Sequence, residues 1–353
     1  MKAGKRENER AQSARRGRLF CFLAFSFCAF PLYGCAVLNP GHAPGESLTF
    51  REPDTRREYR LYVPSTYSAN RAWPLVVACH GEWPLDGAGS QIDEWKALAE
   101  EKGFLVAAPE LVSSAGGSSS DPSARVTKER QDEEAILRIV AHIRGARNVD
   151  ANSIFLYGWL GGAFPALFAG LKNPDVFRAV SLRQPSFNAA CLAPCLPYLD
   201  RQQPVQVIYG FSDISDFTRP QGLACVEWLR QNRMNVFEEE TPSAHQREPQ
   251  AVYGFIHRVV RTMPWIRVTV TEADVARPLA VRFSLQSSVP IDLYLWEFGD
   301  GQQSRIASPE HTYATPGTYT IRATVTSGKK SYTRNLEIRV PRTRLGTTQP
   351  DRR

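Results

Sequence analysis

The run Pro74-Leu75-Val76-Val77-Ala78-Cys79 is apolar without alternation, and it opens a series of such segments. An uninterrupted apolar run of this length marks a strand buried on both faces of a parallel sheet. Further strand segments follow at Phe104–Ala108, Ser153–Tyr157, Phe177–Leu182, Val205–Tyr209 and Val236–Glu239, and the shorter Leu48–Arg51 and Tyr59–Val63 precede it. Helical patterns lie between them: Ile92, Trp95 and Leu98, then Ile136, Ile139, Val140 and Ile143, then a small-residue helix from Gly161 and a stretch around Leu223–Leu229. Pro249 suits the first turn of a last helix, whose Val252, Phe255, Ile256 and Val259 share one face. This alternation predicts an α/β domain over residues 48–262: a doubly wound, mostly parallel sheet with helices on both faces.

After Pro264 the pattern changes from period 3.6 to period two, as in Tyr319-Thr320-Ile321-Arg322-Ala323-Thr324-Val325. The chain therefore predicts a second, all-β domain over 265–341, with a boundary near Thr262–Pro264 and a polar, disordered tail over 342–353.

The net charge of +7 invites a nucleic-acid reading, but seven Lys/Arg against Glu7 and Glu9 place +5 of it in residues 1–35 and leave +2 for the rest. No basic stripe remains for phosphates. Arg15, Arg16 and Arg18 precede the apolar stretch Leu19–Tyr33, which is about 15 residues and short of the roughly 20 that span a bilayer. Leu32-Tyr33-Gly34-Cys35 resembles the lipobox of bacterial lipoproteins, which implies cleavage ahead of Cys35 and its lipidation as the new N-terminus. The expectation is an exported lipoprotein of the bacterial cell envelope, held to the membrane by its lipid, with residues 36–47 as a tether. Cys79, Cys191, Cys195 and Cys225 remain in an oxidising compartment. Cys191 and Cys195 are close enough in sequence to pair, whereas Cys79 reads as a buried free thiol. No spacing suits a zinc site.

Ligands of open α/β sheets bind beyond the carboxyl ends of the strands. There the sequence places His80-Gly81-Glu82, then Gly158-Trp159-Leu160-Gly161-Gly162, then Gly210-Phe211-Ser212-Asp213, with His245 in the loop before the last helix. With Arg60-Leu61-Tyr62-Val63-Pro64, this order resembles the secreted esterase branch of the α/β-hydrolase superfamily, close to polyhydroxybutyrate depolymerases and feruloyl-esterase-like proteins. The resemblance implies an elbow between Gly158 and Gly162, an acid at Asp213, a base at His245 and oxyanion N–H groups at Glu82 and Gly161. It implies no cofactor and no metal. At the family's nucleophile position stands Leu160, which has no nucleophilic atom.

Trp296-Glu297-Phe298-Gly299-Asp300-Gly301, Pro309-Glu310-His311-Thr312-Tyr313 and Pro316-Gly317-Thr318-Tyr319 resemble the PKD module, an immunoglobulin-like sandwich of secreted bacterial proteins. Asp300 reads as a turn former, with a calcium or carbohydrate site as the lesser alternative. Three functions stay open: an esterase fold kept for binding or scaffolding after loss of its nucleophile, a working ester hydrolase using another nucleophile, and an adhesive envelope protein. Leu160 favours the first. A polymeric ester or carbohydrate is the expected ligand class, nucleic acid is not, and the oligomeric state is left open.

Overall fold

The computed structural model describes residues 45–82, 85–114, 121–210, 218–242, 249–274 and 276–341. The leader with Cys35, most of the 36–47 tether, the acid and base Asp213 and His245, and the 342–353 tail lie outside the described residues.

The first domain is built on β1 (Glu46–Arg51), β2 (Glu58–Val63), β3 (Trp73–Cys79), β4 (Leu105–Pro109), β5 (Val149–Trp159), β6 (Ala179–Arg183), β7 (Pro204–Gly210) and β8 (Asn235–Thr241). They form one sheet in the order β1-β2-β4-β3-β5-β6-β7-β8. β1 and β2 run antiparallel, and β3 to β8 are mutually parallel. This is the α/β-hydrolase arrangement, a mostly parallel sheet with an antiparallel edge. Its helices are α1 (Ala88–Lys102), α2 (Pro122–Ala146), α3 (Ala163–Lys172), α4 (Thr218–Gln231) and α5 (Pro249–Thr262).

Two apolar layers cover the sheet's two faces. Ile92, Trp95 and Leu98 of α1 and Val252, Phe255 and Val259 of α5 pack on Val76, Ala78, Phe155 and Tyr157. On the other face, Ile136, Ile139 and Val140 of α2, the apolar α3 and Val226 and Leu229 of α4 pack on Leu75, Val77, Leu156 and Val207. The central strands therefore have no polar face, which is why they read as apolar runs.

The four described cysteines are all free and buried, so Cys191 and Cys195 do not pair. Both lie in the 3-10 segment Ala189–Tyr198. Cys195 Sγ points to the Phe168 carbonyl at 3.8 Å and Cys191 Sγ to that of Pro122 at 4.0 Å. Burial pushes the Cys195 thiol up to about 12, and burial also raises Cys79, Cys191 and Cys225.

The second domain is a sandwich of two antiparallel sheets. β9 (Ile266–Asp274), β10 (Arg277–Ser287) and β13 (Glu310–Thr312) form one; β11 (Leu293–Glu297), β12 (Gln303–Ser304), β14 (Gly317–Ser327) and β15 (Lys330–Val340) form the other. Phe283, Trp296, Phe298, Tyr313, Ile321 and Ala323 fill the space between the sheets. Arg334 of β15 pairs through both terminal nitrogens with Asp200, just ahead of β7, and Arg267 donates to the Ala151 carbonyl at the start of β5. The sandwich thus touches the amino ends of the parallel strands, away from their carboxyl ends.

Candidate active site

The chain leaves β5 through a turn of very little room. Trp159 is still extended at φ −117° and ψ 133°. Leu160 then adopts φ +48°, a 3-10 turn covers Leu160–Gly162, and α3 begins at Ala163. The left-handed region costs a non-glycine residue about 1–2 kcal/mol, and such strain persists only where the surroundings impose it. Here they do. A Cβ on Gly158 would lie 2.4 Å from the Gly162 carbonyl oxygen, and one on Gly162 would lie 2.1 Å from that of His80. Neither position accepts a side chain, so strand, turn and helix are held at closest approach. Leu160 is half-buried against the layer containing Trp159 and Tyr157, and its carbonyl accepts the Ser186 N–H at 3.4 Å.

The neighbouring β3 ends at Cys79 and delivers His80-Gly81-Glu82 alongside. His80 is buried, and its ring fixes the local chain: Nε2 accepts the Leu111 N–H at 3.0 Å, so Nδ1 carries the proton donated to the Gly81 carbonyl at 2.7 Å. Asp86 accepts the Gly81 N–H at 2.8 Å and the Gln91 side-chain amide at 2.7 Å. Asp132 of α2 accepts the N–H groups of Val112 and Ser113 at 2.9 and 2.8 Å and pairs with Arg57 at 2.6 Å. Two carboxylates thereby tie down the loops that follow β3 and β4. Neither was singled out from sequence, where Asp86-Gly87 is only a turn signal and Asp132 one charge among several on a helix.

The structure brings four of the sequence-predicted groups together: the glycine pair Gly158 and Gly162, Leu160 between them, Gly161, and Glu82. The Glu82 side chain lies over Gly161, so close that a Cβ there would stand 2.6 Å from Oε1. Two further residues line this end of the sheet. Arg183 is wholly buried beside Trp159 in register. Gln184, also buried, takes φ +46° and donates its N–H to the Ile208 carbonyl at 2.8 Å. An Arg-Gln pair closing an apolar strand was the available signal for them. Of the serines near this end, Ser181 donates to Gln206 at 2.7 Å and Ser114 to the His80 carbonyl at 3.3 Å, whereas the Ser113 Oγ is buried with no hydrogen-bond partner among the described residues.

In the sandwich, Asp300 accepts from His311 Nε2 at 2.7 Å and from the Gln302 N–H at 3.1 Å, while the His311 ring stacks on Phe298. Asp300 therefore closes its own turn, as the turn-former reading expects. Among the described residues no group of three His, Cys, Asp or Glu side chains is placed to hold a metal.

Residues 262–340 match the family model of the PKD domain, and the C-terminal sandwich is a PKD domain. The PKD1 domain of the Vibrio cholerae metalloprotease PrtV is 33% identical over 22% of this chain and 95% of that one, with a TM-score of 0.20. A ferulic acid esterase is 14% identical over 62% of this chain and 100% of its own, with a TM-score of 0.48. A Bacteroides ovatus protein described as a dipeptidyl aminopeptidase IV is 13% identical over 62% of this chain, with a TM-score of 0.45, and the match spans only 35% of that chain. No curated protein matches the sequence.

Proposed function

For a chain that joins an esterase-like α/β-hydrolase fold to a PKD domain, we propose a binding or scaffolding role at the bacterial cell envelope, exerted through an ester-hydrolase site that has lost its nucleophile at Leu160. The observation that carries this is the backbone of Leu160. A leucine gains nothing from φ +48°, yet the turn is walled so tightly by Gly158 and Gly162 that the conformation is enforced. That is the geometry an elbow needs to lift a serine hydroxyl towards its base. The side chain here is apolar and packs instead of projecting a hydroxyl. Asp213 and His245 are the proposed acid and base, and the N–H groups of Glu82 and Gly161 the proposed oxyanion donors.

The proposed ligand is an ester or acid, alone or on a polymer, with the PKD domain spacing the cleft from neighbouring material. Lipidation at Cys35 would hold the protein at the membrane, and Cys35→Ala should release it. The wild-type protein should show no labelling by fluorophosphonates and no turnover of p-nitrophenyl esters. Leu160→Ser should introduce both, and adding His245→Ala should remove most of that gain, because base and nucleophile act as a unit. Wild-type turnover that ignores Leu160 but is abolished at another serine would overturn the proposal.

A further inference from the structure

Beside the proposed backbone N–H donor, Glu82 brings a carboxylate to this turn. The Leu85 and Asp86 N–H groups both donate to the Glu82 carbonyl, at 3.0 and 3.1 Å, and Asp86 accepts the Gly81 N–H at 2.8 Å. The Glu82 side chain turns onto Gly161 of the elbow. Oε1, Cδ and Cγ lie 2.6, 2.8 and 3.2 Å from the place a Cβ on Gly161 would take. Gly161 belongs to the turn that leads into α3, and the amino end of a helix attracts negative charge. The acyl oxygen of a substrate held over Leu160 would have to develop its charge in the same corner, against a carboxylate already present.

We propose that the Glu82 carboxylate is a built-in occupant of the oxyanion corner, a second and independent brake on ester chemistry beside the missing nucleophile. It rests on the reading of Leu160–Gly161 as a hydrolase elbow. Glu82 is solvent-exposed, so the carboxylate competes with a ligand rather than sealing the site. Loss of the serine and placement of this carboxylate reinforce one another: a site that no longer stabilises an oxyanion can hold an anion of its own.

The test compares the full-length chain as Leu160→Ser, Leu160→Ser/Glu82→Gln and Leu160→Ser/Glu82→Ala. Glutamine keeps the size and removes the charge; alanine removes both. Each double variant should label with a fluorophosphonate at least tenfold faster than Leu160→Ser. Equal rates in all three would overturn the role of Glu82 and leave the elbow reading standing. Absence of labelling in all three folded proteins would overturn both. Benzoate binding, measured by calorimetry with Leu160 in place, tests the carboxylate without altering the turn. Glu82→Gln should bind benzoate about tenfold more tightly than wild type, and unchanged affinity would also count against the brake.

Discussion

Two turns in this molecule need a backbone that ordinary residues avoid, and they meet the need in opposite ways. Between β11 and β12 the sandwich places Gly299 at φ +83° and Gly301 at φ +89°. Between β5 and α3 the first domain places a leucine at φ +48°. An acid in each domain differs in the same sense. Asp300 is paired with His311 and the Gln302 N–H. Burial draws its carboxyl upward, but those two partners outweigh that and hold it below its usual value. Glu129 on α2 is 1% exposed, and among the described residues its Oε2 has no hydrogen-bond partner. Burial dominates there and pushes it up to about 8 despite Arg125. The sandwich relieves its local conflicts, whereas the hydrolase-like domain keeps them. Strain of that kind gathers where a fold is shaped for a site.

The contrast can be broken most directly in the sandwich core. Trp296 is buried, with its indole N–H donated to the Ile306 carbonyl at 3.0 Å. Trp296→Ala should cost about 3–5 kcal/mol and unfold the sandwich while the first domain keeps its own denaturation transition. Loss of both transitions together would mean that the contacts of Arg334 and Arg267 make one cooperative unit.

The buried acid offers the next largest effect. The unfolded Glu129 loses its proton near pH 4.5 and the folded one near 8. Across that window the folded state holds more protons, so stability falls as pH rises and is flat above 8. Glu129→Gln should leave stability unchanged near pH 4 and raise it by on the order of 3–5 kcal/mol at pH 9. Denaturant midpoints at the two pH values decide it, and an equal shift at both would remove Glu129 from the contrast.

Glycines sharpen the comparison. A Cβ on Gly162 would meet the carbonyl oxygens of His80 and Cys79 at 2.1 and 2.4 Å, whereas one on Gly301 meets nothing within 4 Å. Gly162→Ala should therefore cost about 2–3 kcal/mol through overpacking, and Gly301→Ala only about 1–2 through its backbone angle. The smallest change expected is at the strained residue itself. Leu160→Gly relieves about 1–2 kcal/mol of backbone strain and gives up a similar amount of apolar burial. Thermal unfolding should place it within about 1 kcal/mol of wild type; a large loss would show that packing, not the elbow, sets this turn.

The alternation of Pro74–Cys79 and its successors with helical segments was enough to define the sheet, because strands buried on both faces have no freedom to be polar. The spacing Gly158-x-Leu160-x-Gly162 located the turn for an equally local reason, since small residues must flank so tight a crossing. The period-two strands around Tyr319–Val325 likewise identified the sandwich. Tertiary structure alone decided what those elements meet. The free thiols of Cys191 and Cys195, the engagement of Asp86 with Gly81 and of Asp132 with the loop after β4, and the Glu82 carboxylate over Gly161 join chain segments whose approach depends on loop path and strand order. Periodicity reports which face of an element is buried; it carries no information about which partner from elsewhere in the chain arrives at that face.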